Sequence, residues 1–486
     1  MTAQLTSSST PQTAHGVPAR RADVLICGGG ISGLALAAFL RADGLRPVVF
    51  ERTGRPGGAI GTVRRDGFLF ERGPNTILDK YDSMDRLLEL AGLEGEAIRV
   101  PMRTQQRHLW FRGRLHRVPT GPLAFAATPL LPIRAKLALL REPFVPPRTS
   151  EEESVADFVT RRLGRPWLTN LITPVVTGIW AGDPERLCAD HAFPVMKEME
   201  ADGGSLLRGA MRRMRRRRAE ARAEGRPPRT KCLTSFRHGL GQLPEALAGR
   251  LGGDFRPNTE VTALRRSEDG QYTIETRNGV ATECWSAPRV VIAADAAGCA
   301  GFLAGFDSEL AAVLRSVPYN GLAVAGVGLR ADRARLPEGF GFLAVRDHGI
   351  RILGAIVNSN FMPGRAPEGC AGLTIYIGGE LDQGALSLAE DEHAGLVRRD
   401  LRRVLGWPGP PEALYIERWD RAIPQYDMRH GARLRQFEAA EQRHPGLYLA
   451  GNWRGGVSVG DRIQCSAAMA ARIQSETSSP RTDNPS

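Results

Sequence analysis

Six residues, Gly28-Gly29-Gly30-Ile31-Ser32-Gly33, stand between the apolar run Val24 to Cys27 and the Ala-rich stretch Leu34 to Leu40. A G-x-G-x-x-G spacing between a strand and a helix leaves few folds open. Gly28 permits a tight turn, Gly30 lets the backbone approach a pyrophosphate, and Gly33 lets helix and strand pack closely, with the phosphate expected at the positive helix terminus. Glu51 lies 18 residues beyond Gly33 at the end of a second apolar run. A carboxylate there accepts hydrogen bonds from a ribose hydroxyl and repels a 2′-phosphate. "ADVLICGGGISGLALAAFLRADGLRPVVFERTG" therefore reads as a βαβ unit that binds an adenine dinucleotide.

The motif alone does not separate NAD from FAD. "RPGGAIGT", Arg55 to Thr62, supplies a second Gly pair, "GFLFERGPNT" follows at Gly67 to Thr76, and "AGN" at Ala450 to Asn452 forms a late turn. Further Gly-rich contacts and a C-terminal turn returning to the same cofactor suit bound, non-covalent FAD rather than an exchanging nicotinamide.

At 486 residues the chain predicts two or three domains. No apolar run approaches the roughly 20 residues that span a bilayer. The net charge of +12 is local: Arg208 to Arg229 holds ten Arg and two Glu. Lys occurs only at 80, 136, 197 and 231, so 61 of the 65 basic residues are Arg, a bias that a GC-rich coding sequence explains without a nucleic-acid partner. Seven Cys, at 27, 188, 232, 284, 299, 370 and 465, show no C-x-x-C pair and no zinc spacing, and the nine His form no metal or triad pattern. The expectation is reduced thiols, no metal site and a cytoplasmic setting. Residues 1–20, rich in Ser and Thr, read as a disordered arm rather than a secretory signal, residues 476–486 as a disordered tail, and "EGRPPR" as a loop.

The chain resembles the flavin amine oxidase superfamily, and within it the protoporphyrinogen oxidases together with the related coproporphyrinogen oxidases. The residues that carry the likeness are "ERGPNT", "TGIWAGDPERL", "SFRHGLGQLPEAL", "NFMPGRAPEG", "AIPQY" and "GNWRGGVSVGD", in this order. The resembling oxidases commonly have Asn after the terminal Ala-Gly, where amine-oxidising relatives more often have an acid; Asn452 matches the former. Amine oxidases of the superfamily usually place a Lys near flavin N5, and no Lys follows Lys231.

The resemblance implies an α/β fold: a Rossmann-type FAD-binding domain assembled from residues 21–95, 231–300 and 414–475, a helical domain over 96–230, and a mixed-sheet substrate domain over 301–413. Within it, the helix expected over "TSFRHGLGQLPEALAGRLG" follows the Arg-rich run. The cofactor set it implies is Gly28, Gly30, Ile31, Ser32, Gly33, Glu51, Arg52, Arg55, Gly58, Ala59, Gly73, Pro74, Asn75 and Thr76, then Val261, then Gly451, Asn452, Val457, Ser458 and Val459.

The implied reaction is six-electron oxidation of a porphyrinogen by hydride transfer from a methylene bridge to flavin N5, with dioxygen as acceptor and hydrogen peroxide as product, and with no acid or base catalyst. Protoporphyrinogen IX is the first substrate and coproporphyrinogen III the alternative; an amine oxidase or carotenoid desaturase-like activity is more remote. Arg107 would hold a propionate, Leu343 and Met362 would sandwich the ring, Asn75 would lie near the flavin, and the turn from Gly178 to Gly182 would aim carbonyls at the reacting carbon. The implied helical domain corresponds to the membrane-binding part of similar enzymes, so "LAFAATPLLPIRAKLALL" and Arg212 to Arg218 are candidates for contact with the cytoplasmic face of the inner membrane. A homodimer is compatible with the resemblance.

Overall fold

The computed structural model describes residues 19–148, 152–223, 225 and 229–478. Most of the expected arm (1–20), tail (476–486) and "EGRPPR" loop lies outside these residues, although Glu476 to Ser478 close the helix Val459–Ser478 and are not tail.

Five parallel strands form the nucleotide-binding sheet, in the order Phe255–Arg256, Pro47–Phe50, Val24–Cys27, Val290–Ile292, Leu447–Leu449. All of these strands but Phe255–Arg256 are buried at every residue, which is why they read as unbroken apolar runs. Alternate side chains serve opposite layers. Val24, Ile26, Val49 and Val291 pack under the helices Ile31–Ala42, Gln242–Leu251 and Val459–Ser478, whereas Leu25, Val48, Val290 and Ile292 face Ala296–Leu303, Ser308–Arg315 and His430–Arg443. The carboxyl ends of these strands carry Gly28, Glu51, Ala293 and Ala450 to one edge, the place where open α/β sheets bind ligands.

A seven-stranded mixed sheet stands beside it, in the order Ala413–Pro424, Tyr319–Arg330, Cys370–Gly378, Gly354–Val357, Gly341–Ala344, Arg107–Phe111, Arg114–Arg117. Residues 107–117 and 414–424 thus pair with this sheet and not with the helical and FAD segments expected of them; Arg107–Phe111 runs parallel to Gly341–Ala344, a partner more than 200 residues away. Ala97–Pro101 is also a strand, paired with Cys232–Phe236. That pairing removes the first part of the helix expected over "TSFRHGLGQLPEALAGRLG", which starts only at Gln242.

One face of the seven-stranded sheet packs Val327, Phe342, Ala355 and Ile375 on the helix Glu390–Leu405 through Leu396, Val397 and Leu401. The opposite face is crossed by the strand Phe68–Glu71. Cβ atoms at Gly326 and Gly328 would come within 2.6 Å of the rings of Phe70 and Phe68, so glycine at both positions lets the strand lie flat on the sheet.

The helical segment closes around a buried charge cluster. Arg162 is 1% exposed and pairs with Glu142 at 3.1 Å and with Glu200 at 2.5 Å. Arg161 and Lys197 add bonds to Glu153, and Arg161 a further one to Glu200. Removing one partner from such a cluster leaves desolvated charges behind. Arg162→Leu is therefore expected to destabilise the protein by about 3–5 kcal/mol; a denaturant titration giving less than about 1 kcal/mol would contradict this placement.

Candidate active site

At the first glycine turn, Gly28 adopts φ +122°, and a Cβ there would lie 2.6 Å from the amide of Ala294. A Cβ on Gly33 would meet the Gly28 carbonyl at 2.0 Å. Gly30 is different: nothing lies within 4 Å of its would-be Cβ, and it begins the helix Ile31–Ala42 without a side-chain cap or an acid in the first turn. The N–H groups of Ile31, Ser32 and Gly33 so face an open, side-chain-free cradle, the setting for a pyrophosphate. Glu51 is buried, its Oε2 accepting from the Gly29 N–H at 2.9 Å and its Oε1 from the N–H and hydroxyl of Thr53. A carboxylate fixed in this way keeps lone pairs for ribose hydroxyls, so the residues present fit an adenine dinucleotide.

The other turns converge on this cradle. The Gly57 N–H donates to the Gly29 carbonyl at 2.8 Å, and a Cβ on Gly58 would lie 3.4 Å from the Gly30 Cα. Arg55 clamps its own loop through the carbonyls of Gly58 and Ile60. Gly73 abuts the Ala59 carbonyl and leads through Pro74, Asn75 and Thr76 into the strand Ile77–Asp79. Arg52 pairs with Asp295 at 3.5 Å, and Val261 follows Thr259, whose N–H donates to the Glu51 carbonyl. The Asn452 carbonyl accepts from the Tyr426 hydroxyl at 2.6 Å. After Val457, Ser458 caps the helix Val459–Ser478 by accepting from the Asp461 N–H, and a Cβ on Gly451 would overlap Trp453.

Asn75 joins this cradle to the seven-stranded sheet. It is 6% exposed. Its Oδ1 accepts from the Thr374 hydroxyl at 2.9 Å and its Nδ2 donates to the Tyr376 hydroxyl at 2.5 Å, while Asn358 Nδ2 donates to Thr374. Tyr376 donates on to the Gly73 carbonyl. Burial pushes the Tyr376 phenol above its ordinary range, so it stays neutral.

Strand register extends the same face outward. Thr374 and Tyr376 pair with Ile356 and Gly354, these with Gly341 and Leu343, and these with Arg107 and Leu109. Directly paired residues share a face, so Tyr376 and Leu343 in one row of pairs, and Ile356 and Arg107 in the row two residues away, lie on the same face of the sheet. The helix Thr173–Trp180 lies over it, because a Cβ on Gly178 would meet Leu343 Cδ2 at 2.7 Å. That helix leaves Val175 and Ile179 exposed, at 37% and 48%. It follows a π-helical turn, Leu168–Ile172, and Pro174 supplies no N–H for the ordinary ladder there.

Arg107 is partly buried over the Phe340 ring at 5.6 Å and has no carboxylate partner among the described residues. Desolvation lowers its pKa, and a guanidinium remains charged nonetheless. Arg365, by contrast, is 2% exposed and faces Glu71, Ser235 and Phe236, while Arg351 is held by Asp382. Arg117 pairs with His108 and so lies on the face opposite Arg107. Burial pushes the Glu71 carboxyl up to about 7 against the opposing bonds from Thr62, Arg365 and Leu240.

One expectation needs correction, that of the carbonyls in the turn from Gly178 to Gly182. Met362 is 2% exposed in a cluster with Leu233 and Phe361, against which Phe340 and Ile356 of the substrate face pack, whereas Leu343 packs with Leu109 and Phe111. The Trp180 carbonyl accepts from Gln425, and the Ala181 carbonyl from Asn320 and the Glu380 N–H, so these two of the turn's carbonyls are committed within the protein. Conversely, Thr374 and Tyr376 were legible as the polar positions of an alternating strand, and Val175 with Ile179 as a helical i, i+4 pair, but neither pair was singled out.

A parallel sheet with a bare-backbone cradle, a ribose acid and an adjoining apolar sheet face defines a dinucleotide-dependent oxidoreductase. Residues 31–471 match the family described as Flavin containing amine oxidoreductase, and the chain belongs to that family; its cofactor is FAD. The chain is 33% identical over 479 residues to protoporphyrinogen oxidase 1, chloroplastic, of Spinacia oleracea, covering 93% of this chain and 84% of the relative. It is 29% identical over 463 residues to coproporphyrinogen III oxidase of Bacillus subtilis (strain 168), covering 90% and 95%. A solved structure of a candidate protoporphyrinogen oxidase from Exiguobacterium sp. 255-15 shares the fold at a TM-score of 0.77 and 24% identity, covering 95% of this chain and all of that one. Among the described residues, no helix is long and apolar enough to cross a membrane.

Two outcomes are expected. Glu51→Ala loses the ribose acceptor and should bind FAD roughly tenfold more weakly, the worth of one charged hydrogen bond; titration of the flavin-free protein with FAD measures it. Because the folded pKa of Glu71 is raised, its contribution to stability is fully present below about pH 4.5 and is lost as pH rises through about 7. Glu71→Gln should therefore gain on the wild type between pH 5 and pH 8, by up to ~3 kcal/mol, in thermal melts.

Proposed function

We propose that the protein is an FAD-dependent porphyrinogen oxidase of tetrapyrrole biosynthesis that converts protoporphyrinogen IX to protoporphyrin IX. Six electrons and six protons leave the substrate in three two-electron steps, and three molecules of dioxygen become three of hydrogen peroxide. The observation that carries this reading is the sheet face from Tyr376 to Arg107. It spans three strand spacings, about 15 Å, is apolar between its ends, and finishes on a cation without a carboxylate partner among the described residues.

Bound FAD supplies the hydride acceptor at N5 and returns electrons to dioxygen. The cofactor residues proposed to hold it are the helix terminus at Ile31, Ser32 and Gly33 for the pyrophosphate, Glu51 for the ribose, and the turns at Gly58–Ala59, Gly73–Thr76 and Gly451–Asn452. Arg107 binds a propionate, for which a planar guanidinium suits a bidentate carboxylate. Leu343, Val175 and Ile179 bound the ring and keep water away. Asn75 and Tyr376 orient the inner end of the slot without transferring a proton, since aromatisation supplies the driving force and Tyr376 is held neutral.

Two substrates share this chemistry and differ in carboxylates, two in protoporphyrinogen and four in coproporphyrinogen. Arg351 and Arg365 are already paired with Asp382 and Glu71, which leaves few cations for extra propionates and favours the former. An amine substrate is disfavoured because the strand Tyr319–Arg330 carries no Lys. The proposed setting is the cytoplasm, at the cytoplasmic face of the inner membrane. In support, Ile133, Leu137 and Leu140 expose one apolar face of the helix Ile133–Arg141, with Phe144 just beyond.

With anaerobically reduced substrates, protoporphyrinogen IX should be turned over faster than coproporphyrinogen III, with three hydrogen peroxide per porphyrin; the reverse preference assigns the alternative substrate. Arg107→Ala should raise KM about 10- to 100-fold, the worth of one charged hydrogen bond, and change kcat much less. Liposome flotation at low salt should carry the wild type upward, and Ile133, Leu137 and Leu140 changed together to Ser should abolish it.

A further inference from the structure

A second group of chemically active side chains lies outside the oxidase site. Glu152, Cys188 and His191 come from two separate stretches of chain, yet their ligand atoms all lie within 4.8 Å of one another. The Glu152 carboxylate is 3.2 Å from His191 Nε2. The Cys188 thiol is buried and free, with one long contact, 3.9 Å, to Asp190.

The surroundings hold these three in place. The Cys188 N–H donates to the Tyr426 carbonyl at 2.8 Å, and the Ala189 N–H donates to the Glu153 carbonyl at 2.9 Å. Space is left by a missing side chain: a Cβ on Gly431, in the first turn of the helix His430–Arg443, would stand 2.4 Å from Glu152 Oε1 and 2.9 Å from His191 Nε2. Beside it, His430 is 1% exposed, lies edge-on to His191 at 5.0 Å, and has a buried Nδ1 without a hydrogen-bond partner.

We propose that Glu152, Cys188 and His191 bind a borderline divalent cation, with Zn(II) the best fit, through thiolate, imidazole and carboxylate, leaving a fourth position to water. A mixed sulfur, nitrogen and oxygen set suits Zn(II) and disfavours Mg(II) and Ca(II), which take oxygen ligands. The two anionic ligands balance the charge of the ion. A thiol must lose its proton to coordinate, so binding of the ion releases one proton to solvent.

The placement gives the ion a structural task. The Cys188 segment bonds to Tyr426, Tyr426 bonds to Asn452 at the closing cofactor turn, and the Trp180 ring lies 4.8 Å from Tyr426. An ion here fastens the Glu152 stretch to the Cys188–His191 stretch, whose backbone in turn bonds to Tyr426. The proposal stands independently of the substrate assigned above.

The flavoprotein is dialysed against a chelator and titrated with Zn(II) in competition with a chromophoric chelator, and separately with Cd(II), read by near-ultraviolet difference absorbance. One equivalent of Zn(II), a thiolate-to-Cd(II) band, and a melting temperature raised by Zn(II) are expected. Cys188→Ser should lose the band, and His191→Gln and Glu152→Gln should each weaken binding at least tenfold. Glu152 is exposed, so that variant is informative even where Cys188→Ser fails to fold. Absence of stoichiometric binding, binding without a thiolate band, or binding unchanged in His191→Gln and Glu152→Gln overturns the site and leaves an ordinary Glu152–His191 ion pair.

Discussion

The structure turns on a patch of backbone stripped of side chains. Gly30 and Gly57 are bridged, Gly58 lies against Gly30, and Gly73 lies against Ala59, so three turns from separate stretches share one surface. The helix from Ile31 points its free N–H groups at the same surface, and Glu51 is pinned at its edge by the Gly29 N–H. Such a surface attracts the phosphates and ribose of a dinucleotide for reasons of space and charge alone. Any side chain at Gly28 or Gly33 would also collide with backbone, so the turn cannot be rebuilt by a small shift of a neighbour.

Because the turns are bonded to one another, the position of Asn75 follows from that of the cradle. Asn75 in turn bonds to Thr374 and Tyr376, which belong to the other sheet. One buried amide thus sets the distance between the cofactor edge and the substrate face. Its donors and acceptors are matched, with Asn358 giving to Thr374, Thr374 to Asn75, Asn75 to Tyr376 and Tyr376 to the Gly73 carbonyl. A directed chain of this kind in a dry setting resists inversion, since reversing one member leaves a buried group unpaired. The helix over Leu343 completes the slot, and Gly178 allows it to approach.

The nucleotide half was legible because its signals are local: strand, turn, helix and acid lie within residues 24–51, and each glycine answers a steric need inside that stretch. The substrate half depends on distant partners. Nothing in "RHLWF" announces a parallel neighbour at Gly341–Ala344, and Ala413–Pro424 earns its place only by pairing with Tyr319–Arg330. Met362 packs with Phe361 and Leu233, with Phe340 and Ile356 against them, contacts that no local signal in "NFMPGRAP" announces. The resemblance implied that carbonyls of the turn from Gly178 to Gly182 face a ligand, whereas Gln425 and Asn320, remote in sequence, bond two of them, those of Trp180 and Ala181.

The central claim is that a flavin on the glycine cradle receives electrons from a porphyrinogen lying along the sheet face between Tyr376 and Arg107. Anaerobic rapid mixing of the oxidised flavoprotein with protoporphyrinogen IX tests it most directly. The account predicts that the visible flavin band bleaches at a rate that saturates with substrate concentration. A flavin that stays oxidised in the presence of excess protoporphyrinogen, in protein that does bind FAD, would contradict it.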